Sequence, residues 1–143
     1  TEFNDDTLLA KYGGKPGFAR WANENMLVHA QIESKTAWDN LDGILQVEGL
    51  DGVYVGPGDL SLSLELTGAD RSADLRQVLS SIIARAVSAG MPVGVHAYNG
   101  DDAARIAAEG ATIVTVSVDS VSLGEVVTHH LDVARGQRET GHA

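Results

Sequence analysis

From Met26 onward the hydrophobic positions switch repeatedly between two periods, short apolar runs of strand length and longer stretches with helical spacing. Met26 to Ile32 (MLVHAQI) predicts a strand. It is followed by Ser34 to Val47, where Ala37, Trp38, Leu41, Ile44, Leu45 and Val47 fall at helical spacing. A second strand, Gly52 to Val55, stops at Gly56-Pro57-Gly58, a loop runs from Leu66 to Arg71, and a helix covers Ser72 to Ala89. Its apolar face is Leu75, Val78, Leu79, Ile82, Ile83, Ala86 and Val87, and Gly90 is a natural stop. Pro92 to Ala97 with a helix over Gly100 to Glu109, then Thr112 to Val118 with a helix from Ser120 or Ser122 to Arg135, complete four strand-helix units. Asp101 and Asp102 suit the start of the third helix and Gly110 its end. Such alternation predicts parallel strands joined by right-handed crossovers, an α/β fold whose ligand face lies at the strand C-terminal ends.

The flanks read differently. Residues 1–25 hold a turn-rich connector, Tyr12-Gly13-Gly14-Lys15-Pro16-Gly17, and a short helix over Phe18 to Glu24; the four units fill residues 26–135, and residues 136–143 form a polar, frayed tail. The start Thr1-Glu2-Phe3-Asn4-Asp5-Asp6 carries no initiator Met and no signal-peptide pattern, so the expectation is a processed chain or a portion of a longer one. No apolar run approaches the roughly 20 residues of a membrane span.

Composition narrows the partners. A net charge of −10, from 20 acidic and 10 basic residues, repels a phosphate backbone or an anionic membrane. Without cysteine there is neither a disulfide framework nor a thiolate metal site, so a metal would need oxygen or imidazole ligands, and a cytoplasmic location is expected.

The residues at the ligand face are Glu33, Asp59, His96 and Asp119. Strand alternation puts His29, Gln31 and Glu33 on one side, the last two about 7 Å apart along the strand. Glu33 alone could cap the next helix, and so could Asp59. Taken together, two carboxylates on consecutive strand ends suit a hard divalent cation such as Mg²⁺ or Mn²⁺. Gly56 and Gly58 either make a tight turn or let backbone N–H groups approach an anionic ligand. His96 is the acid-base candidate; His29 reads as a hydrogen-bonded interior residue, His129 and His130 as residues at a helix C-terminus, and His142 as part of the tail. Asp119 is expected to cap the last helix, and Trp21 and Trp38 to serve core or interface packing.

Ala22-Asn23-Glu24, Gln31-Ile32-Glu33-Ser34, the run Asn40 to Leu45 (NLDGIL), the run Val47 to Val53 (VEGLDGV) and Gly56-Pro57-Gly58-Asp59-Leu60-Ser61 together resemble the metal-dependent class II pyruvate aldolases of the HpcH/HpaI type, the group of 4-hydroxy-2-oxoheptanedioate and 2-dehydro-3-deoxyglucarate aldolases. The resemblance runs from Tyr12 to Leu123. It implies the C-terminal half, units five to eight, of a TIM-type (β/α)8 barrel, with Glu33 and Asp59 as ligands of Mg²⁺, Mn²⁺ or Co²⁺. It also implies that Gln31 lies beside the bound oxo acid and that the backbone of Gly58 and Asp59 holds the oxo acid's carboxylate. The implied reaction is carbon-carbon cleavage or formation between a 2-oxo acid and an aldehyde through a metal-stabilised pyruvate enolate.

No residue matches the family's acid-base His and Asp or its carbonyl-steadying Arg. A half barrel would expose two strand edges and an inner face expected to be apolar, so pairing is expected with a second copy, with another chain or with a further stretch of its own precursor. Two other readings stay open: a non-catalytic half-barrel subunit or scaffold, and a related biosynthetic enzyme that forms carbon-carbon bonds.

Overall fold

The computed structural model describes residues 9–136. The segment Thr1 to Asp6 and, beyond Gly136, the expected tail with His142 lie outside those residues. Helix α1 (Gly14–Asn25) precedes four units: β1 (His29–Ile32) with short helices α2 (Lys35–Asp39) and α3 (Leu41–Ile44); β2 (Gly52–Val55) with α4 (Pro57–Ser63) and α5 (Arg71–Ser88); β3 (Val93–Ala97) with α6 (Gly100–Ala108); and β4 (Ile113–Val116) with α7 (Asp119–Ala134).

All three strand pairings are parallel and the order is β1-β2-β3-β4. A doubly wound sheet reverses direction at a switch point, whereas a barrel adds each strand beside the last. The monotonic order is therefore that of half a (β/α)8 barrel, as expected. One face of the arc carries Ile32, Val53, Val55, Val93, Val95 and Ala97, nearly or wholly buried with Leu41 of α3, Leu79, Ile82, Ile83 and Ala86 of α5 and Ile106 of α6. Each such Val, Leu or Ile side chain contributes about 1.5–3 kcal/mol of burial. That core fixes which strand residues are left for the other face.

The other face corrects the expectation of an apolar inner surface. Period-two alternation brings His29, Gln31, Tyr54, His96 and Thr115 to it, with Ile113 as its apolar member and Gly52 and Gly94 between them. A Cβ on Gly94 would stand 2.5 Å from Cδ2 of Tyr54, and one on Gly52 would stand 2.4 Å from Cδ2 of His29. The two glycines let an aromatic ring and an imidazole lie flat across neighbouring strands. Apolar exposure is found elsewhere, on β4 and on α7, which buries none of its residues and leaves Val121, Leu123, Val126, Val127, Leu131 and Val133 exposed.

Three boundaries differ from the sequence pattern for local reasons. β1 begins at His29 rather than Met26, because its partner begins at Gly52; Val28 is held instead by the Asp51 carboxylate, which accepts its N–H at 2.7 Å. The helix expected over Ser34 to Val47 breaks at Asn40, whose φ of −98° and ψ of 12° depart from the helical region; its side-chain amide donates at 2.8 Å to the Thr36 carbonyl that its own backbone N–H also reaches at 3.1 Å. β4 ends at Val116 because Ser117 adopts a φ of 63°, outside the strand region. The long helix, in contrast, runs from Arg71 and stops before the left-handed Gly90, one residue from the predicted limits. α1 is longer than the predicted Phe18 to Glu24, and its Trp21 stacks on Phe18 at 6.0 Å and lies 4.7 Å from Tyr12. Among the described residues no helix is long and apolar enough to cross a membrane.

Candidate active site

The C-terminal rim of the sheet gathers the polar residues. β1 and β2 run in register from His29↔Gly52 to Ile32↔Val55, and the Gly56 N–H donates to the Ile32 carbonyl at 3.2 Å, carrying the pairing one step past the strands. Glu33 and Gly56 thereby emerge side by side. The Gln31 amide donates to Oε2 of Glu33 at 2.7 Å, which turns the carboxylate toward the barrel's inner side. A Cβ at Gly56 would lie 3.3 Å from Nε2 of Gln31 and 3.4 Å from Oε2 of Glu33, so the pair sits close against the second rim loop and would shift by a few tenths of an ångström for a side chain there.

Pro57 opens α4, where its missing N–H costs no hydrogen bond, and Gly56 rather than Asp59 is the N-cap. Asp59 occupies the first turn, exposed, with no capping bond of its own. The cap reading of Asp59 is thus not what the structure shows. Asp59 joins Gln31, Tyr54, Gly56, Pro57, Gly58, His96 and Tyr98 around a cleft of about 250 Å³; Glu33, hydrogen-bonded to Gln31, is not among the residues that line it. Glu33 likewise does not cap α2; the Ser34 hydroxyl does, accepting the Ala37 N–H at 3.1 Å.

His96 has a defined setting. Its Nδ1 lies 3.0 Å from Oγ1 of Thr115, which also hydrogen-bonds the Tyr54 hydroxyl, and its ring meets Tyr98 edge to face at 5.1 Å. The chain of contacts crosses from β2 over Gly94 to β4 and back to β3, which fixes the imidazole with Nε2 unengaged by these partners. His29 is half-buried over Gly52 on the same face, away from the cleft's lining, and its ring forms no hydrogen bond among the described residues, which corrects the expectation of a hydrogen-bonded interior residue. Asp119 is the first residue of α7 rather than its cap; its Oδ1 accepts the Ser120 N–H at 2.7 Å. His129 and His130 sit on α7 with rings 5.8 Å apart, remote from the rim in sequence and on a separate element. Trp38 packs half-buried against the core.

Tyr54 and Thr115 are functional-face residues that the motifs alone do not single out. The signal that reaches them is the alternation itself: each stands an even number of residues from a glycine or rim residue on the same face of its strand.

As a metal site the rim offers two carboxylates from consecutive strands and, among the described residues, no cluster of three or more His, Cys, Asp or Glu. Two hard oxygen donors with the remaining positions open to substrate and water fit a Mg²⁺-type cation, and Gln31 as donor to Glu33 fits the outer-sphere partner that such a carboxylate needs.

The fold and the rim define a class: half of a (β/α)8 barrel whose polar groups gather at the strand C-terminal ends, where barrel enzymes bind their ligands. The chain belongs to the HpcH/HpaI aldolase/citrate lyase family, whose model matches residues 9–125. It is 37% identical over 122 residues to the 2-keto-3-deoxy-L-rhamnonate aldolase of Salmonella typhi, covering 85% of this chain and 46% of that protein. An HpcH/HpaI aldolase/citrate lyase family protein from Burkholderia cenocepacia J2315 superposes with a TM-score of 0.75 at 29% identity, over 88% of this chain and 49% of the other. The citrate synthase SbnG superposes with a TM-score of 0.71 at 25% identity, over 82% of this chain and 48% of the other. The chain spans about half the length of the curated relatives it matches.

Proposed function

We propose that this chain carries the metal and 2-oxo-acid half of a class II aldolase site, with Glu33 and Asp59 as the metal ligands. The observation that carries this reading is the Gln31–Glu33 hydrogen bond at 2.7 Å, set against Gly56 in the loop that delivers Asp59. A divalent metal held there supplies Lewis-acid stabilisation of the negative charge that develops on the oxo acid as its enolate forms. Gln31 orients Glu33 and presents its amide beside the substrate. Gly58, without a side chain, leaves backbone open to the substrate carboxylate at the start of α4, where N–H groups point outward. His96, braced by Thr115, is placed to hold or pass a proton at Nε2.

The family's acid-base pair and carbonyl-steadying arginine have no counterpart in this chain. We place them on the complementary half barrel, which would also pair with the free edges of β1 and β4 and cover the polar inner face. The similarity to a citrate synthase favours a second reading, a biosynthetic enzyme that uses the same enolate to form a carbon-carbon bond.

Calorimetry with Mn²⁺ and pyruvate tests the site. The expected result is pyruvate binding that requires Mn²⁺ and is abolished by Glu33→Gln or Asp59→Asn. Unchanged affinity in both variants would refute the ligand assignment.

A further inference from the structure

Asp59 is carried by α4, a helix of only 7 residues, and the rotation of that helix about its own axis decides where the carboxylate points. Successive residues of a helix turn by about 100°. Asp59 and Ser63, four apart, therefore share one face of α4, while Ser61, two from each, faces about 200° away. Both faces are tied to neighbouring elements. The Ser61 hydroxyl, 1% exposed with its residue, accepts Nε of Arg71 at 2.9 Å at the start of α5. The Ser63 hydroxyl, on the exposed side, accepts the Lys35 N–H at 2.9 Å at the start of α2. Two ties on opposite sides of a short helix fix its rotation.

The second tie joins the segments that carry the two candidate metal ligands. Lys35 is the first residue of α2, so its N–H has no acceptor within that helix, and the capping hydroxyl of Ser34 is spent on Ala37. Ser63 supplies the missing acceptor from across the rim. On the other side of Glu33, the Ile32 carbonyl accepts the Gly56 N–H at 3.2 Å. Glu33 lies between Ile32 and Lys35 in the chain, and Asp59 lies between Gly56 and Ser63. The two hydrogen bonds thus close one ring of backbone and side chain that contains both carboxylates.

We propose that Ser63 is a positioning residue for the metal: by holding the end of α4 to the segment just past Glu33, it turns Asp59 toward the β1 rim and sets the separation of the two carboxylates. The proposal rests on the reading of Glu33 and Asp59 as the ligands. It gives a role to a serine two residues beyond the Gly56-to-Ser61 motif, on the same helix face as Asp59.

The test is calorimetric titration of the full chain with Mn²⁺ alone, with urea unfolding of each variant in parallel. Ser63→Ala is expected to weaken Mn²⁺ binding fivefold or more, and Ser63→Thr, which keeps the hydroxyl, to restore it to within twofold of the native chain. Asn99→Ala is the stability control: it removes a side-chain-to-backbone bond at the start of α6, so it should lower the urea midpoint and leave Mn²⁺ affinity within twofold of native. Affinity within twofold of native in Ser63→Ala, a loss that Ser63→Thr does not reverse, or an equal loss in Asn99→Ala overturns the proposal. Asp59→Asn separates the two claims. If it abolishes Mn²⁺ binding while Ser63→Ala leaves binding intact, the ligand assignment stands and the positioning role falls; if it leaves Mn²⁺ affinity unchanged, both fall.

Discussion

Replacing Gly94 with alanine tests the geometry of the inner face through sterics alone. Gly94 is not among the left-handed glycines, so alanine meets no backbone penalty at that position. The obstacle is Tyr54: the new Cβ would lie 2.5 Å from its Cδ2 and 3.1 Å from its Cε2, against about 3.5–4.0 Å for carbon atoms in contact. The ring must move by roughly an ångström, at the cost of about 1–3 kcal/mol typical of overpacking. Moving it also breaks the Tyr54–Thr115 hydrogen bond, a further loss of about 0.5–1.5 kcal/mol. Against these stands a gain of about 0.4–1 kcal/mol from restricting the unfolded chain. The net expectation is destabilisation of about 1–3 kcal/mol, which at a urea m-value of about 1–3 kcal/mol/M lowers the unfolding midpoint by about 1 M. A double-mutant cycle supplies the control, because Gly94→Ala in a Tyr54→Ala background meets no ring and should be neutral or slightly stabilising. Equal midpoint shifts in the two backgrounds would refute the placement of Tyr54 across β3.

Two further outcomes follow from named contacts. Gln31→Leu removes the donor that orients Glu33, and Mn²⁺ affinity measured by calorimetry should fall about 10–100-fold, as for other outer-sphere partners of metal ligands; a change under twofold would mean that Glu33 is oriented by something else. Asn99→Ala removes the side-chain oxygen that accepts the Asp102 N–H at 2.8 Å at the start of α6 and should cost about 0.5–2 kcal/mol by urea unfolding, whereas Asn99→Ser, which keeps an acceptor oxygen and sets no second carboxylate against Asp102, should retain most of the stability.

The sequence by itself determined the element order and the parallel architecture, because both are written in local periodicity: the run Val93 to Ala97 and the helix closing at Gly90 are legible without any partner. It also pointed to Glu33, Asp59, His96 and Asp119, which stand where strands end, while the roles expected of Gln31 and the Gly58 backbone came from the resemblance of the motifs to a family. Tertiary structure decided what local signals leave open. Strand ends depend on the neighbour's register, so β1 starts at His29, opposite Gly52, although its apolar run begins at Met26. The cap reading of Asp59 fell because the geometry of the turn makes Gly56 the cap. The polarity of the inner face, the joining of Tyr54, Thr115 and His96 into one hydrogen-bonded group, and the meeting of Arg71 with Ser61 all rest on contacts between residues distant in sequence. Such contacts form only when the helices have claimed one face of the sheet for the core, leaving the alternate side chains to meet on the other.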